Sequence, residues 1–231
     1  MAGRVLERYT RDDSEFDRAV AFIDATFAVA LTLLVTTLDI DSDPASWDTF
    51  GDFYDAMGSQ IVMFAISFVV IAAYWLSHYR LLATFAAIDL RLIVVNLFLL
   101  AAIVILPFTT ESAGDPEVNE LPLPTVVLAI NIAAVSAAFT LLFVMARARA
   151  VLRWTPSQRA FTWYVLLFLA PGVVFLVSVP IAYLVTPATA QLMWLSLLVI
   201  NPWLGRATTR ETQSSANGQE FGDDSSDPRD A

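Results

Sequence analysis

One carboxylate and one imidazole stand out in this sequence because both sit in strongly apolar surroundings. Asp24 lies inside the first hydrophobic run, and His78, the only histidine of the 231 residues, follows the second run. If the first run crosses a membrane, Asp24 lies about 7–8 Å inside it, where a carboxylate is costly unless it faces protein or water. We interpret Asp24 as a buried polar anchor held by other helices; the alternative is a neutral or snorkelling acid near the interface.

Four polar side chains on the next two helices are candidate partners for Asp24. Trp75 and His78 are three residues apart and share one face of helix 2, while Asp89 and Asn96 are seven apart and share one face of helix 3. An indole, an imidazole, a carboxylate and an amide can satisfy a buried acid. A lone histidine more often has a structural role than a catalytic one, although it can also act as a protonation switch.

The composition excludes several classes of function. Cysteine is absent, which excludes a thiolate nucleophile and a cysteine metal site, and one histidine cannot build a multi-histidine centre. We therefore expect neither a cofactor nor an enzyme. The formal net charge of −10 argues against a nucleic-acid partner. With 57% hydrophobic and only 16% charged residues, the chain is typical of a protein embedded in a lipid bilayer.

Six hydrophobic runs are long enough to cross a bilayer as helices, each of which needs about 20 apolar residues. The sequence therefore predicts an all-α integral membrane bundle over residues 1–205, followed by a disordered polar and acidic tail, 206–231. The predicted helices cover residues 19–38, 57–76, 92–110, 126–146, 161–185 and 188–204.

The charged residues predict how this bundle is oriented. All 13 cations are arginines, and the six-helix assignment places every one of them on the same side of the membrane. The connections on the other side are acidic: residues 39–55 hold six aspartates and no cation, and residues 111–124 hold four acids and no cation. The positive-inside rule then places both termini in the cytoplasm.

Helix 1 also carries a stripe of side chains at helical spacing. Asp24 lies about 140° around the helix from this stripe, so the two face different neighbours. From the residues alone, the stripe is either ordinary packing or lipid-facing surface, or it is a face turned towards a symmetry axis. The stripe consists of Phe22, Thr26, Val29, Leu33, Thr36 and Ile40.

Three motifs in residues 14–110 resemble the TMEM175-like potassium channels. Arg18, Phe22 and Asp24 match the R-x-x-x-F-S-D signature of that family, with Ile23 in the place of its serine. Residues 73–80 are similar to Y-W-x-x-H-x-R, and residues 89–110 are similar to D-x-x-L…N-L…L-P-F-x-T.

The resemblance implies a homotetrameric, potassium-permeable cation channel in which four copies of helix 1 line a pore. It places the apolar constriction on Val29, Leu33 and Thr36. Val29 is smaller than the residue usual in the family, and Ile23 removes a hydroxyl group. The resemblance further implies an inner polar network that supports helix 1. Its members are Arg18, Phe22, Asp24, Trp75, His78 and Asn96.

A single six-helix unit is typical of the prokaryotic members, so the resemblance also implies a multi-pass protein of a prokaryotic plasma membrane. The partners expected are K⁺, three further copies of the chain and the lipid bilayer. The alternative function is a secondary transporter, including a proton-coupled one. The absence of a convincing inverted repeat and the scarcity of charges within the spans disfavour that alternative.

Overall fold

The computed structural model describes residues 8–39, 43–115 and 118–224. Within these ranges the chain forms seven α-helices, two short strands and two single 3₁₀ turns. In chain order the helices and strands are β1 (Arg8–Thr10), α1 (Ser14–Leu33), α2 (Phe50–Ala83), β2 (Ala87–Asp89), α3 (Leu90–Gly114), α4 (Pro122–Ala148), α5 (Gln158–Leu184), α6 (Pro187–Trp194) and α7 (Leu197–Asp224).

Five of these helices, α1 to α5, are long and apolar enough to cross a membrane, and they coincide with the first five predicted runs. The chain is therefore an all-α, multi-pass membrane protein. Several helices extend beyond the apolar run that predicted them. The start of α2 moves back to Phe50 because the Thr49 hydroxyl accepts a hydrogen bond from the Asp52 amide, which caps a polar first turn.

The sixth predicted helix, 188–204, is divided between α6 and α7 rather than continuous. At the break, the amides of Ser196 and Leu198 donate to carbonyls only three residues earlier, so the helix tightens locally. Beyond the break α7 runs to Asp224, so the backbone of residues 206–224 is helical where the sequence predicted disorder. Residues 225–231, the rest of the predicted tail, lie outside the described residues.

Two aromatic contacts show the course of α6 and α7 relative to α5. Trp194 of α6 stacks on Phe175 with ring centroids 4.4 Å apart, and Trp203 of α7 contacts Trp163 near the start of α5 at 5.6 Å. The two helices therefore run back along α5, from its end towards its beginning.

The core of the bundle lies on α3 and α4. Helix α4 packs between α3 and α5, and α3 also contacts α1 and α2. Leu99 and Ile103 of α3 and Val135 and Leu142 of α4 are fully buried. Helix α3 is thus the element against which both α1 and α2 are positioned.

Backbone pairing links the connections at one end of the bundle, where α1 begins and α2 ends. Strands β1 and β2 pair antiparallel, with Tyr9 opposite Ile88. A further bridge joins Phe85, just before β2, to Leu152 between α4 and α5. We call this the arginine-rich end, because all the arginines of the described residues lie in or near its connections.

Candidate functional site

Helix α1 has one face packed in the bundle and another exposed. Its buried side chains are Phe16, Ile23, Phe27 and Ala30, with Leu34 in the 3₁₀ turn that follows. The exposed face includes the three predicted constriction residues: Val29 is 53% exposed, Leu33 is 42% exposed, and Thr36 is exposed as well. Within the single chain, therefore, these three side chains have room to face another molecule.

The remaining residues of the predicted stripe differ in their exposure. Phe22 is 58% exposed, whereas Thr26 is half-buried. Ile40 lies outside the described residues. The stripe is thus accessible over the three residues that the resemblance assigned to the constriction and at Phe22.

The threonine hydroxyls near the end of α1 bond to the helix itself. Thr32 Oγ1 donates to the Val29 carbonyl at 2.8 Å, and Thr36 Oγ1 donates to the Leu33 carbonyl at 2.7 Å. Each hydroxyl proton is used locally, so this part of α1 does not depend on polar partners from other helices. The hydroxyl oxygens keep lone pairs that can accept from water or contact a cation.

Asp24 has a partner on α2, as predicted. The Trp75 indole Nε1 donates to Asp24 Oδ1 at 3.0 Å. Asp24 itself is half-buried. The bond connects α1 to α2 at a level where an unpaired carboxylate would be costly.

His78 is bonded to Asn96 rather than to Asp24. The Asn96 amide Nδ2 donates to the Leu92 carbonyl at 2.9 Å, which leaves Asn96 Oδ1 to accept from His78 Nε2 at 2.7 Å. In neutral His78 the proton therefore sits on Nε2. The ring is fully buried between Phe27 of α1, at 5.7 Å, and Phe139 of α4, at 5.8 Å. His78 thus connects α2 to three neighbouring helices.

The Nδ1 atom of His78 is buried and has no hydrogen-bond partner among the described residues. No group of three histidine, aspartate or glutamate side chains able to hold a metal ion occurs in the described part of the chain.

Two members of the predicted polar network belong to neither pair. Arg18 and Phe22 line an open groove of about 450 Å³ between α1 and α3, which Asn96 of the second pair also lines. Arg18 is exposed and makes no side-chain hydrogen bond to the described residues. Within one chain the network therefore consists of two pairs, Asp24 with Trp75 and His78 with Asn96.

Asp89, considered as a partner for Asp24, has a different role. Its carboxylate accepts from the amides of Arg91 and Leu92, which caps the start of α3, and it forms an ion pair with Arg149. Asp89 is fully buried. No local pattern predicts this ion pair, because Arg149 lies 60 residues further along the chain.

Phe27 and Phe139 were also missed as residues of the site. Both are nearly fully buried and enclose the His78 ring. Phe27 follows the buried Ile23 by four residues, so the helical period could have assigned it to the packed face of α1. Phe139 has no such signal, since large apolar residues occur all around α4 and its buried face also includes polar ones.

Comparisons with known proteins agree with the resemblance. Residues 18–107 match the family described as endosomal/lysosomal potassium channel TMEM175. A potassium channel of Streptomyces collinus (strain DSM 40733 / Tue 365) is 33% identical over 105 residues, which cover 44% of this chain and 49% of the relative. A potassium channel of Chryseobacterium sp. (strain P1-3) is 25% identical over 125 residues, covering 54% of this chain and 62% of the relative. The matched region thus spans between about half and three fifths of each relative's length.

Two solved structures share the fold. The crystal structure of a lysosomal potassium-selective channel TMEM175 homolog from Chamaesiphon minutus has a TM-score of 0.62 at 21% identity and covers 86% of this chain and 99% of its own. A crystal structure of a variant of the potassium channel MtTMEM175, in complex with a nanobody–MBP fusion protein, has a TM-score of 0.62 at 19% identity and covers 90% and 98%. Residues 18–107 are therefore similar to this family, and the chain shares the fold of the two solved structures.

Proposed function

We propose that this TMEM175-like chain forms a potassium-permeable channel in which four copies surround a pore lined by α1. The observation that carries the proposal is the division of α1 into a face packed in the bundle and an exposed face that holds Val29, Leu33 and Thr36. The two bacterial relatives, matched over 105 and 125 residues, are named potassium channels, which supports the same function.

The exposed face is suited to a hydrophobic constriction. Four copies of Val29 and Leu33 would form two narrow apolar rings, in which water density and ion passage depend steeply on radius. K⁺ holds its hydration shell less tightly than Na⁺, so partial dehydration at such a ring costs K⁺ less. Four copies of Thr36 would form a third ring next to that of Leu33, and its hydroxyl oxygens could contact the passing ion or its water.

The proposal includes six membrane crossings with both termini in the cytoplasm of a prokaryotic cell. The course of α6 and α7 back along α5 supports a sixth crossing, since it returns the chain to the arginine-rich end. By the positive-inside rule that end would lie in the cytoplasm. The membrane we propose is the plasma membrane.

Arg18 and Phe22, which lie outside the two hydrogen-bonded pairs of the described residues, fit the tetramer. Arg18 and Phe22 lie on the groove between α1 and α3, on the same side of α1 as the stripe. In a tetramer these side chains face the neighbouring copy. Within its own copy α1 is held by the bond from Trp75 to Asp24 and by the packing of Phe27 on His78, which Asn96 fixes in place.

The decisive experiment measures K⁺ and Na⁺ flux separately in liposomes that contain the purified protein. Leu33→Asn replaces an apolar ring with amides that can hydrate either ion, so we expect a lower ratio of K⁺ to Na⁺ flux. The matched control is Leu176→Asn on α5, because Leu176 is 48% exposed and Leu33 is 42% exposed.

Each outcome has a clear meaning. An effect of Leu33→Asn that Leu176→Asn does not share supports α1 as the pore helix. Equal fluxes in wild type and Leu33→Asn remove Leu33 from the pore. Flux that requires a proton gradient identifies a transporter, and the absence of flux from folded wild-type protein contradicts the proposed function.

A further inference from the structure

Residues 8–13 attach the start of α1 to two connections at the arginine-rich end. Their strand β1 pairs with β2, with Arg8 opposite Asp89. Strand β2 is fully buried, and the residues just before it are bonded to the α4–α5 connection: the Ala86 amide donates to the Val151 carbonyl at 2.7 Å. The segment is thus held by backbone bonds before the chain enters α1.

A tight turn transmits the position of β1 to α1. The Asp13 amide donates to the Thr10 carbonyl at 3.0 Å, and the Asp13 carboxylate accepts from the Thr10 amide at 2.7 Å and from the Thr10 hydroxyl at 2.8 Å. The Phe16 amide then donates to the Asp13 carbonyl at 3.1 Å, which begins the helix. With these bonds the turn has little freedom to change the angle between β1 and α1.

Arg11 connects the first turn of α1 to the end of α2. Its guanidinium donates to the Phe85 carbonyl at 2.7 Å and to the Leu82 carbonyl at 2.9 Å, and its Cζ lies 5.1 Å from the centroid of the buried Phe16 ring. Carbonyls at the end of a helix lack partners within it and carry partial negative charge, which favours a bound cation. The planar guanidinium can serve both carbonyls and the ring together.

A second contact attaches the same segment to α3 and α4. Arg8 donates to the Arg149 carbonyl at 3.1 Å, and the Arg149 side chain pairs with the buried Asp89 that caps α3. A buried carboxylate that loses its partner is strongly destabilised. This ion pair therefore fixes the surface on which residues 8–13 rest.

We propose that residues 8–13 are a clasp that sets the position of the pore helix, with Arg11 as the main positioning residue. The inference rests on the proposed function, because it assigns the clasp a role relative to α1 as the pore helix. Arg11 contacts α1 in its first turn at Phe16, and Tyr9 lines the groove beside the first half of α1, so the clasp fixes where the helix starts and how it is rotated. The exposed stripe further along is left free to line the pore.

The test is single-channel recording in planar bilayers. Arg11→Gln removes the guanidinium that binds both carbonyls. We expect the open probability to fall about 10-fold, because the free energy of one charged hydrogen bond corresponds to about that factor. The conductance of one open channel should not change, because the stripe is intact. Arg11→Lys keeps a cation beside the carbonyls and should restore part of the open probability. The control is Arg91→Gln, since the exposed Arg91 side chain makes no hydrogen bond to the described residues.

Hydrogen exchange on the same variants provides a readout that does not need ion flux. Arg11→Gln should increase exchange at amides in residues 8–17, and Arg91→Gln should not. An unchanged open probability in folded Arg11→Gln protein overturns the proposal, and so does a changed conductance at unchanged open probability. If wild type conducts nothing, the proposed function fails, and unchanged exchange in Arg11→Gln overturns the clasp separately.

Discussion

The first and second parts of α1 differ in what holds their side chains. In the proximal part, residues 14–27, two side chains attach α1 to α2: Asp24 accepts from Trp75, and Phe27 packs on His78. In the distal part, from residue 28 to the end of the following 3₁₀ turn, the hydroxyls bond within the helix itself.

This difference separates two tasks along one helix. The proximal part is positioned by α2 and by the arginine-rich end, whereas the distal part presents exposed side chains and needs no polar support from outside. We therefore expect substitutions in the proximal part to reduce stability, and substitutions of exposed residues in the distal part to alter ion passage with little loss of stability.

The largest effect on stability is expected for Phe27→Ala. Phe27 is 1% exposed, so its loss leaves a cavity beside His78, and we expect a cost of about 3 kcal/mol or more. Val29→Ala, at a site 53% exposed, is the matched distal change and should cost much less. Thermal unfolding in detergent, followed by size-exclusion chromatography, measures both. Equal losses of stability would contradict the division of α1.

Asn96→Leu should have the next largest effect. It leaves the buried His78 Nε2–H without an acceptor, which costs about 1–3 kcal/mol. The double variant with His78→Leu removes both partners and should be more stable than Asn96→Leu alone. A double variant that is less stable would mean that His78 contributes mainly through its contacts with Phe27 and Phe139. The same unfolding measurement decides between these outcomes.

Asp24→Ala should cost about 1 kcal/mol, because the Trp75 indole loses its acceptor. It should also lower the yield of assembled protein. Asp24→Asn keeps an oxygen in place and should retain most of the stability. In the distal part, Thr36→Val removes a hydroxyl that bonds only within its own helix, and should change stability less than Asp24→Ala. Chromatographic yield and thermal unfolding together test this comparison.

The smallest effect is expected from pH at Asp13. The bonds from the Thr10 amide and hydroxyl hold the pKa of Asp13 below its ordinary value of 3.8. A carboxyl group with a lowered pKa in the folded protein stabilises it fully above the unfolded pKa, and that contribution is lost as the pH falls through the folded pKa. The stability difference between wild type and Asp13→Asn should therefore be constant above about pH 3.8 and should shrink below it. A difference that grows with acid would contradict the turn described for Asp13.

The sequence predicted those features that depend on local patterns. Apolar length identified the five spans, and the helical period places Asp24 on a different face of α1 from Val29 and Leu33. The chemical types of the polar pairs were also predictable, since few groups on α2 and α3 can serve a buried acid. Which of them pair was less predictable, because it depends on how α2 and α3 are rotated against each other.

The contacts at the arginine-rich end could not be predicted for a different reason. Arg11 binds carbonyls more than 70 residues away, and Asp89 binds Arg149 at a separation of 60 residues. The positive-inside rule accounts for Arg11 and Arg149 whether or not they have partners. It therefore cannot distinguish arginines with a structural role from those that only set the orientation. Hydropathy also cannot predict the break between α6 and α7, because the residues on both sides of it are apolar.

The break between α6 and α7 has a consequence for how the protein is inserted into the membrane during synthesis. Helix α6 has eight residues, about 12 Å of rise, and cannot cross roughly 30 Å of hydrocarbon alone. Helix α6 alone therefore inserts only weakly into lipid until Trp194 can stack on Phe175 of α5. The translocon should accordingly release α5 late, as a hairpin with α6 and α7. A ribosome stalled before Trp194 is made should leave Phe175 of α5 without the ring that stacks on it.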